Sequence, residues 1–273
     1  GNAIINLIDE PGRVSSGSVI LGELNIHEDQ KNIVKYRGKK IGLIFQDPQT
    51  SLNPILTIGE QLIETIQTHL KITKEEAKKR SISLLNEVGI KDAAKRFDDY
   101  PHQFSGGMRQ RVVISLALCC EPELLIADEP TTALDVVIQD QILKEIKKVQ
   151  ELLGLSLIYI SHDIAVIAEM TDNMAVMYAG SIVEKGPTAS IFSNPRHAYT
   201  RLLLESTPSV VGEKKKLRAL DGEPPSLING LEGCAFSPRC PEPSEDCKSK
   251  KLDMALIEVE TGHWADQCCV NCG

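Results

Sequence analysis

The stretch from Phe104 to Asp135, FSGGMRQRVVISLALCCEPELLIADEPTTALD, restricts what this chain can fold into more than any other. Ser105 is a natural N-cap, and Gly106-Gly107 leave the first helical turn bare enough for another group to approach the backbone. Val112, Val113, Leu116 and Ala117 then recur at helical spacing until Glu121-Pro122 stops the helix. Leu124 to Ala127 is a short all-apolar run, as expected of a strand buried on both faces of a parallel sheet. The strand ends in two adjacent acids, Asp128 and Glu129. Carboxylates at the carboxyl end of a buried strand are costly to desolvate unless they serve a cation or a proton transfer. A solvated strand end would explain an isolated acid pair. It does not explain one framed by Ser-Gly-Gly before it and Ala133-Leu134-Asp135 after it.

These motifs resemble the core of an ABC-type ATPase. Phe104 to Met108 resembles the ABC signature, Leu124 to Glu129 the Walker B strand, and Ala133-Leu134-Asp135 the D-loop. The commoner signature reads Leu-Ser-Gly-Gly-Gln; here Phe104 and Met108 take the outer places, while the serine and both glycines are kept. Upstream, Ile41 to Phe45 reads as another buried strand, and the polar loop from Gln46 to Pro54 resembles the Q-loop. Its Asp-Pro-x-x-Ser-Leu-Asn-Pro extension is similar to that of the dipeptide and oligopeptide importer branch. A further apolar run, Leu155 to Ile160, precedes Ser161-His162-Asp163, and His162 resembles the family's switch histidine in its spacing after Walker B.

The resemblance implies an α/β, P-loop NTPase-like fold with a parallel sheet core and a helical subdomain at about 57–120, the ATPase domain running over 1–207. It implies a small Cys-rich extension over 208–273. It also implies roles. Two such domains pair head to tail, each ATP lying between one chain's phosphate loop and the other's signature. Ser105, Gly106 and Gly107 then meet the γ-phosphate, helped by the N–H groups and dipole of the helix start. Asp128 holds Mg²⁺ through water, and Glu129 orients or deprotonates the attacking water. His162 bonds the γ-phosphate, Gln46 senses metal and water, and Asp135 crosses to the partner chain. The implied cofactors are ATP and Mg²⁺. The implied partners are transmembrane permease subunits and a sibling or identical ATPase, at the cytoplasmic face of a membrane and peripheral to it.

An ABC ATPase also carries a glycine-rich loop, G-x-x-x-x-G-K-[ST], ahead of its first helix. No Gly-Lys-Ser or Gly-Lys-Thr occurs in this sequence, and Gly38-Lys39-Lys40 precedes a strand rather than a helix. The resemblance puts Gly1 to Gly12 just past that loop. Either the sequence is an incomplete reading of a longer gene, or it is a short form whose own nucleotide site is dead but which lends its signature to a sibling. Weak or no ATP binding is expected of this stretch alone, because the Lys and loop amides that grip the β- and γ-phosphates are not in it.

With 273 residues the chain has room for one large α/β domain and an appendage. Its net charge of −8 speaks against nucleic acid as a partner, as does the Q-loop extension against an ABC-type ATPase acting on DNA. No apolar run is long enough to cross a bilayer, and the first residues show neither a basic leader nor a cleavage site. Residues 3 to 8 read as the end of an apolar helix, and Gly17 to Leu21 as a strand. Residues 57 to 100 read as helical, with Ile58, Leu62, Ile63 and Ile66 on one face and a capping box at Thr73–Glu76. A helix from Val136 to about Leu153 turns Val136, Ile138, Ile142, Leu143, Ile146 and Val149 inward. A hairpin around Ala179-Gly180 and a helix at Ala198 to Glu205 follow. Lys214 to Lys216 and Asp221 to Pro225 read as a linker.

Of eight cysteines, Cys119 and Cys120 sit in the signature helix as small apolar residues, and six lie beyond Gly233. Without a secretion signal, that clustering suggests metal rather than disulfides. Cys234, Cys240, Cys247 and Cys268 are the expected ligands, with Cys269 and Cys272 competing for the last place. Structural zinc usually draws on Cys-x₂₋₄-Cys pairs, and Cys269-Val270-Asn271-Cys272 is such a pair. Four thiolates on irregular loops suit an iron–sulfur cluster equally well. The Gly233 to Pro241 run resembles the extension in which some importer ATPases hold a [4Fe–4S] cluster; zinc and unmetallated thiols stay open. The expected function is the ATP-binding and hydrolysing subunit of a peptide importer, with a non-hydrolysing partner subunit as the alternative.

Overall fold

The computed structural model describes residues 1–28, 32–47, 51–132, 134–206, 222–228, 233–245, 247 and 255–270, the side chains of Cys268 and Val270 excepted. Pro48 to Thr50 of the Q-loop, Ala133 of the D-loop, most of the Lys214–Pro225 linker and Cys272 lie outside the described residues, as does the domain boundary expected near 207–208. The chain forms two compact units, Gly1–His162 and Asp163–Gly273.

In the first unit a two-stranded ribbon, β1 (Ile20–Leu21) and β2 (Leu24–Asn25), precedes a short helix α1 (Ile33–Tyr36). The main sheet has the order β3-β4-β5, all parallel, from β3 (Ile41–Ile44), β4 (Leu124–Asp128) and β5 (Ser156–Ile160). Strand β4 is central and its first four residues are buried, as their unbroken apolar run requires. Strand β5 is less covered than its sequence suggests: Tyr159 alone of its residues is buried. One side of the sheet packs Ile41, Leu124 and Ile126 against Ile5, Ile26 and Ile33.

The segment at 3–8 is a turn, not the expected helix end. Asn6 adopts φ +53°, and the carbonyls of Ile5 and Asn6 accept from the Arg37 guanidinium at 2.9 and 2.6 Å instead of from a following helical turn. The expected strand at 17–21 shortens to the two residues of β1.

Between β3 and β4 lie α2 (Ile58–His69), α3 (Lys74–Glu87), α4 (Ala93–Arg96) and the signature helix α5 (Gly106–Leu118). Helix α2 buries Ile58, Leu62, Ile63 and Ile66 as its period demands. Both α2 and α3 start with a reciprocal capping box, Thr57 with Glu60 and Thr73 with Glu76. Helix α6 (Val136–Leu153) buries Ile142, Leu143, Ile146 and Val149. Its apolar stripe begins a turn later than expected: Val136 is 81% exposed, and Ile138 is the residue of that turn lying over Gly107 of α5. A buried Arg111 braces the unit, donating to the Val88 carbonyl at the end of α3 and to Glu145 of α6. Burial pushes the Glu145 carboxyl up, against the pull of Arg111.

Helix α5 lies directly on β3 at Gly42. A β-carbon there would come 2.4 Å from the Ala117 carbonyl oxygen, a backbone atom that cannot swing aside. Gly42→Ala is therefore expected to destabilise the chain by about 1–3 kcal/mol, the range for overpacking, read as a lowered urea midpoint at unchanged slope. An unshifted midpoint would mean that α5 is free to move off the sheet.

The second unit opens with α7 (Ile164–Met170) and the hairpin β6 (Asn173–Tyr178) and β7 (Ser181–Pro187). Ala179 and Gly180 form its tip at φ +49° and +82°, the primed-turn geometry that matches strand twist. Helices α8 (Thr188–Ser193) and α9 (Ala198–Glu205) follow. Near the C-terminus, β8 (Leu256–Glu260) and β9 (His263–Asp266) extend the hairpin into an antiparallel sheet of order β6-β7-β9-β8, followed by α10 (Gln267–Val270). Its core joins Val176, Tyr178, Val183 and Ala198 to Phe236, Cys234, Cys247 and Cys269. Among the described residues, no helix is long and apolar enough to cross a membrane.

Candidate functional site

In the first unit the parallel register aligns the carboxyl ends of the three strands, pairing Ile44 with Ala127 and Asp128 with Ile160. The loops that leave those ends meet at Glu129. Its carboxylate accepts from Gln46 Nε2 at 2.7 Å and Thr132 Oγ1 at 3.0 Å on one oxygen, and from His162 Nδ1 at 2.9 Å on the other. Three expected residues, Gln46, Glu129 and His162, thus come together from three separate strand ends. The bond from His162 holds the Glu129 carboxyl below the usual range, with Thr132 and Gln46 acting the same way against desolvation. Glu129 is therefore ionised.

The Glu129 backbone is left-handed, at φ +45°. For a residue with a β-carbon that conformation costs about 1–2 kcal/mol. It is held by the Glu129 N–H donating to the Ile160 carbonyl at 2.9 Å and by the Thr132 N–H donating to the Glu129 carbonyl at 3.1 Å. The sharp turn lets one short segment carry both the acid and Thr132, a partner that sequence reasoning missed. The signal for it was a hydroxyl three residues past the acid, closing the same turn. The Glu129 side chain is 22% exposed and that of His162 76%, so the acid is covered while the imidazole faces solvent.

Ser105 caps α5, accepting from the Met108 N–H at 3.3 Å. The two glycines differ in why they are there. A β-carbon on Gly107 would meet Ile138 Cγ2 at 2.7 Å, so close helix packing requires that glycine. A β-carbon on Gly106 would meet nothing within 4 Å. Packing gives no reason for a residue that weakens a helix by about 0.5–1 kcal/mol relative to Ala. Asp135 caps α6, accepting from the Ile138 N–H at 3.0 Å. Asp128 is partly buried at the end of β4. Neither the Ser105–Gly107 turn nor Asp135 hydrogen-bonds to the Glu129 group.

The second unit gathers the cysteines. Cys234, Cys240, Cys247 and Cys269 line one small cavity with Phe236, Ala198 and Arg201. Cys234, Cys247 and Cys269 are buried, and none of these four is in a disulfide. Burial pushes the Cys240 thiol up, and the thiols of Cys269, Cys247 and Cys234 add to it. The structure thus places three of the expected ligands together with Cys269, while the side chain of Cys268 lies outside the described residues. The thiols ring the cavity without converging: among the described residues, no three Cys, His, Asp or Glu groups stand as around a single ion.

His197, which sequence reasoning did not single out, is fully buried beside them. Its backbone N–H and that of Arg196 donate to the fully buried Glu184 at 2.9 and 2.8 Å, and His263 Nε2 meets the same carboxylate at 2.7 Å. Burial opposes protonation of His197, and the neighbouring sulfurs of Cys234 and Cys269 pull the other way.

Comparison with known proteins matches residues 2–132 to the ABC transporter family and residues 183–247 to the C-terminal region of oligopeptide/dipeptide transporters. The oligopeptide transport ATP-binding protein AmiE of Streptococcus pneumoniae serotype 4 is 46% identical over 265 residues, covering 95% of this chain and 73% of that protein. The dipeptide transport ATP-binding protein DppD of Escherichia coli K12 is 44% identical over 259 residues, covering 93% of this chain and 78% of that protein. Among solved structures, a dimeric ATP-binding cassette in a post-hydrolysis state bound to ADP and phosphate superposes with a TM-score of 0.59 at 27% identity, covering 68% of this chain and 80% of that one.

Proposed function

This chain belongs to the ATP-binding proteins of the oligopeptide/dipeptide ABC transporters, and from that premise we propose that it hydrolyses ATP to power peptide import from the cytoplasmic face of a membrane. The observation that carries this reading is the convergence of Gln46 and His162 on Glu129, an ionised carboxylate at the end of a buried strand. ATP and Mg²⁺ are the family's cofactors, and permease subunits and a second ATPase its partners. Mg²⁺, held by Asp128 through water, would neutralise charge on the phosphate oxygens.

The chain's own residues do the rest. Glu129 accepts from Gln46 and Thr132 on one oxygen and from His162 on the other, so the oxygen facing His162 keeps a second lone pair for the attacking water. An ionised carboxylate only accepts, so His162 Nδ1 carries a proton. While that bond lasts, Nε2 donates to a phosphate oxygen only as imidazolium; otherwise the ring leaves Glu129 first. The bare Gly106 backbone and the N–H groups at the start of α5 are the phosphate-facing side of the signature, offered to the partner's ATP. Asp135, at its cap, meets the partner chain.

By function the chain divides into an ATPase domain over 1–207 and an extension over 208–273. In the extension, Cys234, Cys240, Cys247 and a fourth thiol from the Cys268-Cys269 pair hold an iron–sulfur cluster. The donor set supports this: four thiols around one cavity suit the separate irons of a cluster. Zinc, which would draw them to one tetrahedral point, is the alternative.

Co-reconstitution of the subunit, carrying a phosphate loop, with a permease pair in vesicles tests the function. ATP on the subunit's side should drive labelled di- or oligopeptide uptake. ATP hydrolysis that no peptide stimulates, with no uptake, would overturn the peptide assignment.

A further inference from the structure

We infer that His197 is a positioning residue of the thiol cavity, donating its Nε2–H to the sulfurs of Cys234 and Cys269 when these are metal-bound thiolates. The inference rests on the reading of that cavity as a metal site.

The tautomer follows from the fold. His197 is the N-cap of α9, and its Nδ1 accepts from the Tyr199 N–H at 3.1 Å. A neutral imidazole that accepts at Nδ1 carries its proton at Nε2. Nε2 is thus a donor, and it cannot ligate a metal unless the helix cap is given up. The ring is held in place. Glu184 fixes the backbone at residues 196 and 197, and Phe236 packs with its centroid 6.0 Å from the imidazole. Phe236 and the adjoining Ala198 line the cavity along with the thiols.

The Nε2–H itself is buried and has no partner at hydrogen-bonding geometry. A buried donor is rarely left so, because the loss of its water is uncompensated. The acceptors on this side are sulfurs. A neutral thiol is a poor acceptor, whereas a thiolate is a good one, so the donor is satisfied once the cysteines carry negative charge. Metal coordination supplies that charge at neutral pH. Such a bond stabilises the more negative, reduced state of an iron–sulfur cluster and raises its potential.

The test uses the full chain, reconstituted under argon with ferrous iron and sulfide, and separately with Co²⁺ as a single-ion probe. His197→Asn keeps an acceptor near the Nδ1 position for the Tyr199 N–H but lacks the far donor. His197→Gln places an amide N–H near the Nε2 position. Iron content in H197N should stay within about twofold of wild type. At a fixed solution potential its ratio of reduced to oxidised cluster should fall about tenfold, and H197Q should recover part of that. If cobalt binds and iron does not, a shifted thiolate charge-transfer band in H197N is the supporting result and an unshifted band overturns the inference. Full iron with an unchanged potential overturns the donor role and leaves the metal site standing. Loss of iron from both variants also overturns it, because His197 would then be a ligand. Failure of wild type to take either metal removes the metal site, and the inference with it.

Discussion

Glu129→Gln is expected to lower ATP turnover at least about 10²-fold while leaving ATP binding in place, when measured in a form of the subunit that carries a phosphate loop, with its partner. The substitution is nearly isosteric and removes the carboxylate that Gln46 and His162 converge on, the group proposed to take a proton from water. The amide can still accept from Thr132, at 3.0 Å in the wild type, so the turn that fixes residue 129 survives. Asp128, which would hold Mg²⁺, and the Ser105–Gly107 helix start are untouched. Binding should therefore persist and an ATP-bound pair accumulate, visible by gel filtration as a long-lived dimer. Glu129→Asp is the contrasting variant. It keeps the charge but withdraws the carboxylate from Gln46, Thr132 and His162, so loss there reports placement rather than basicity. A kcat within about threefold of wild type for the Gln variant would remove Glu129 from the proton-transfer role and leave it a structural hub.

The parts of this fold that were legible in the sequence are those with one dominant cause. An apolar run buried on both faces names a central strand, and β4 sits centrally in the described parallel sheet. A Thr followed three residues on by Glu names a helix start, and both capping boxes form. Glu129 and His162 were legible through spacing, since register in a parallel sheet sets the strand ends level. Features that depend on competition between distant groups were not. Residues 3 to 8 look helical in isolation, but Arg37 captures their carbonyls from thirty residues away. Val136 carries the right apolarity for a buried face and is exposed, because Ile138 occupies the contact with α5. Thr132 and His197 are ordinary residues until a left-handed turn and a buried Glu184 aim them. Cys269 could not be told from Cys268 by spacing, as one position along a helix turns a side chain by about 100°.

Cys240→Ser is expected to strip the second unit of most of its metal and to loosen residues 222–247, leaving the first unit folded. Cys234, Cys247 and Cys269 are buried core residues, packed with Tyr178, Val183 and Phe236. Serine at any of those would place a hydroxyl in the core, a loss of about 1–3 kcal/mol that confuses unfolding with metal loss. Cys240 is only half-buried, so serine fits there at little expense to packing and metal content becomes the clean readout. Among the described residues from Gly222 to Cys247, the regular element is the 3₁₀ turn Ser237–Arg239. Small irregular segments of this kind need a staple, and in a reducing compartment metal coordination is a better one than a disulfide. The sheet should hold, because Glu184 pairs with Ala265 and Lys185 with Trp264 whatever the cysteines do. Limited proteolysis should then cut the variant between about residues 222 and 247 well before wild type. The wild-type protein, purified without oxygen, should be brown and bleach on reduction. Zinc without iron would mean a structural zinc site. Neither metal, with unchanged proteolysis in the variant, would mean that packing around Phe236 alone holds the segment.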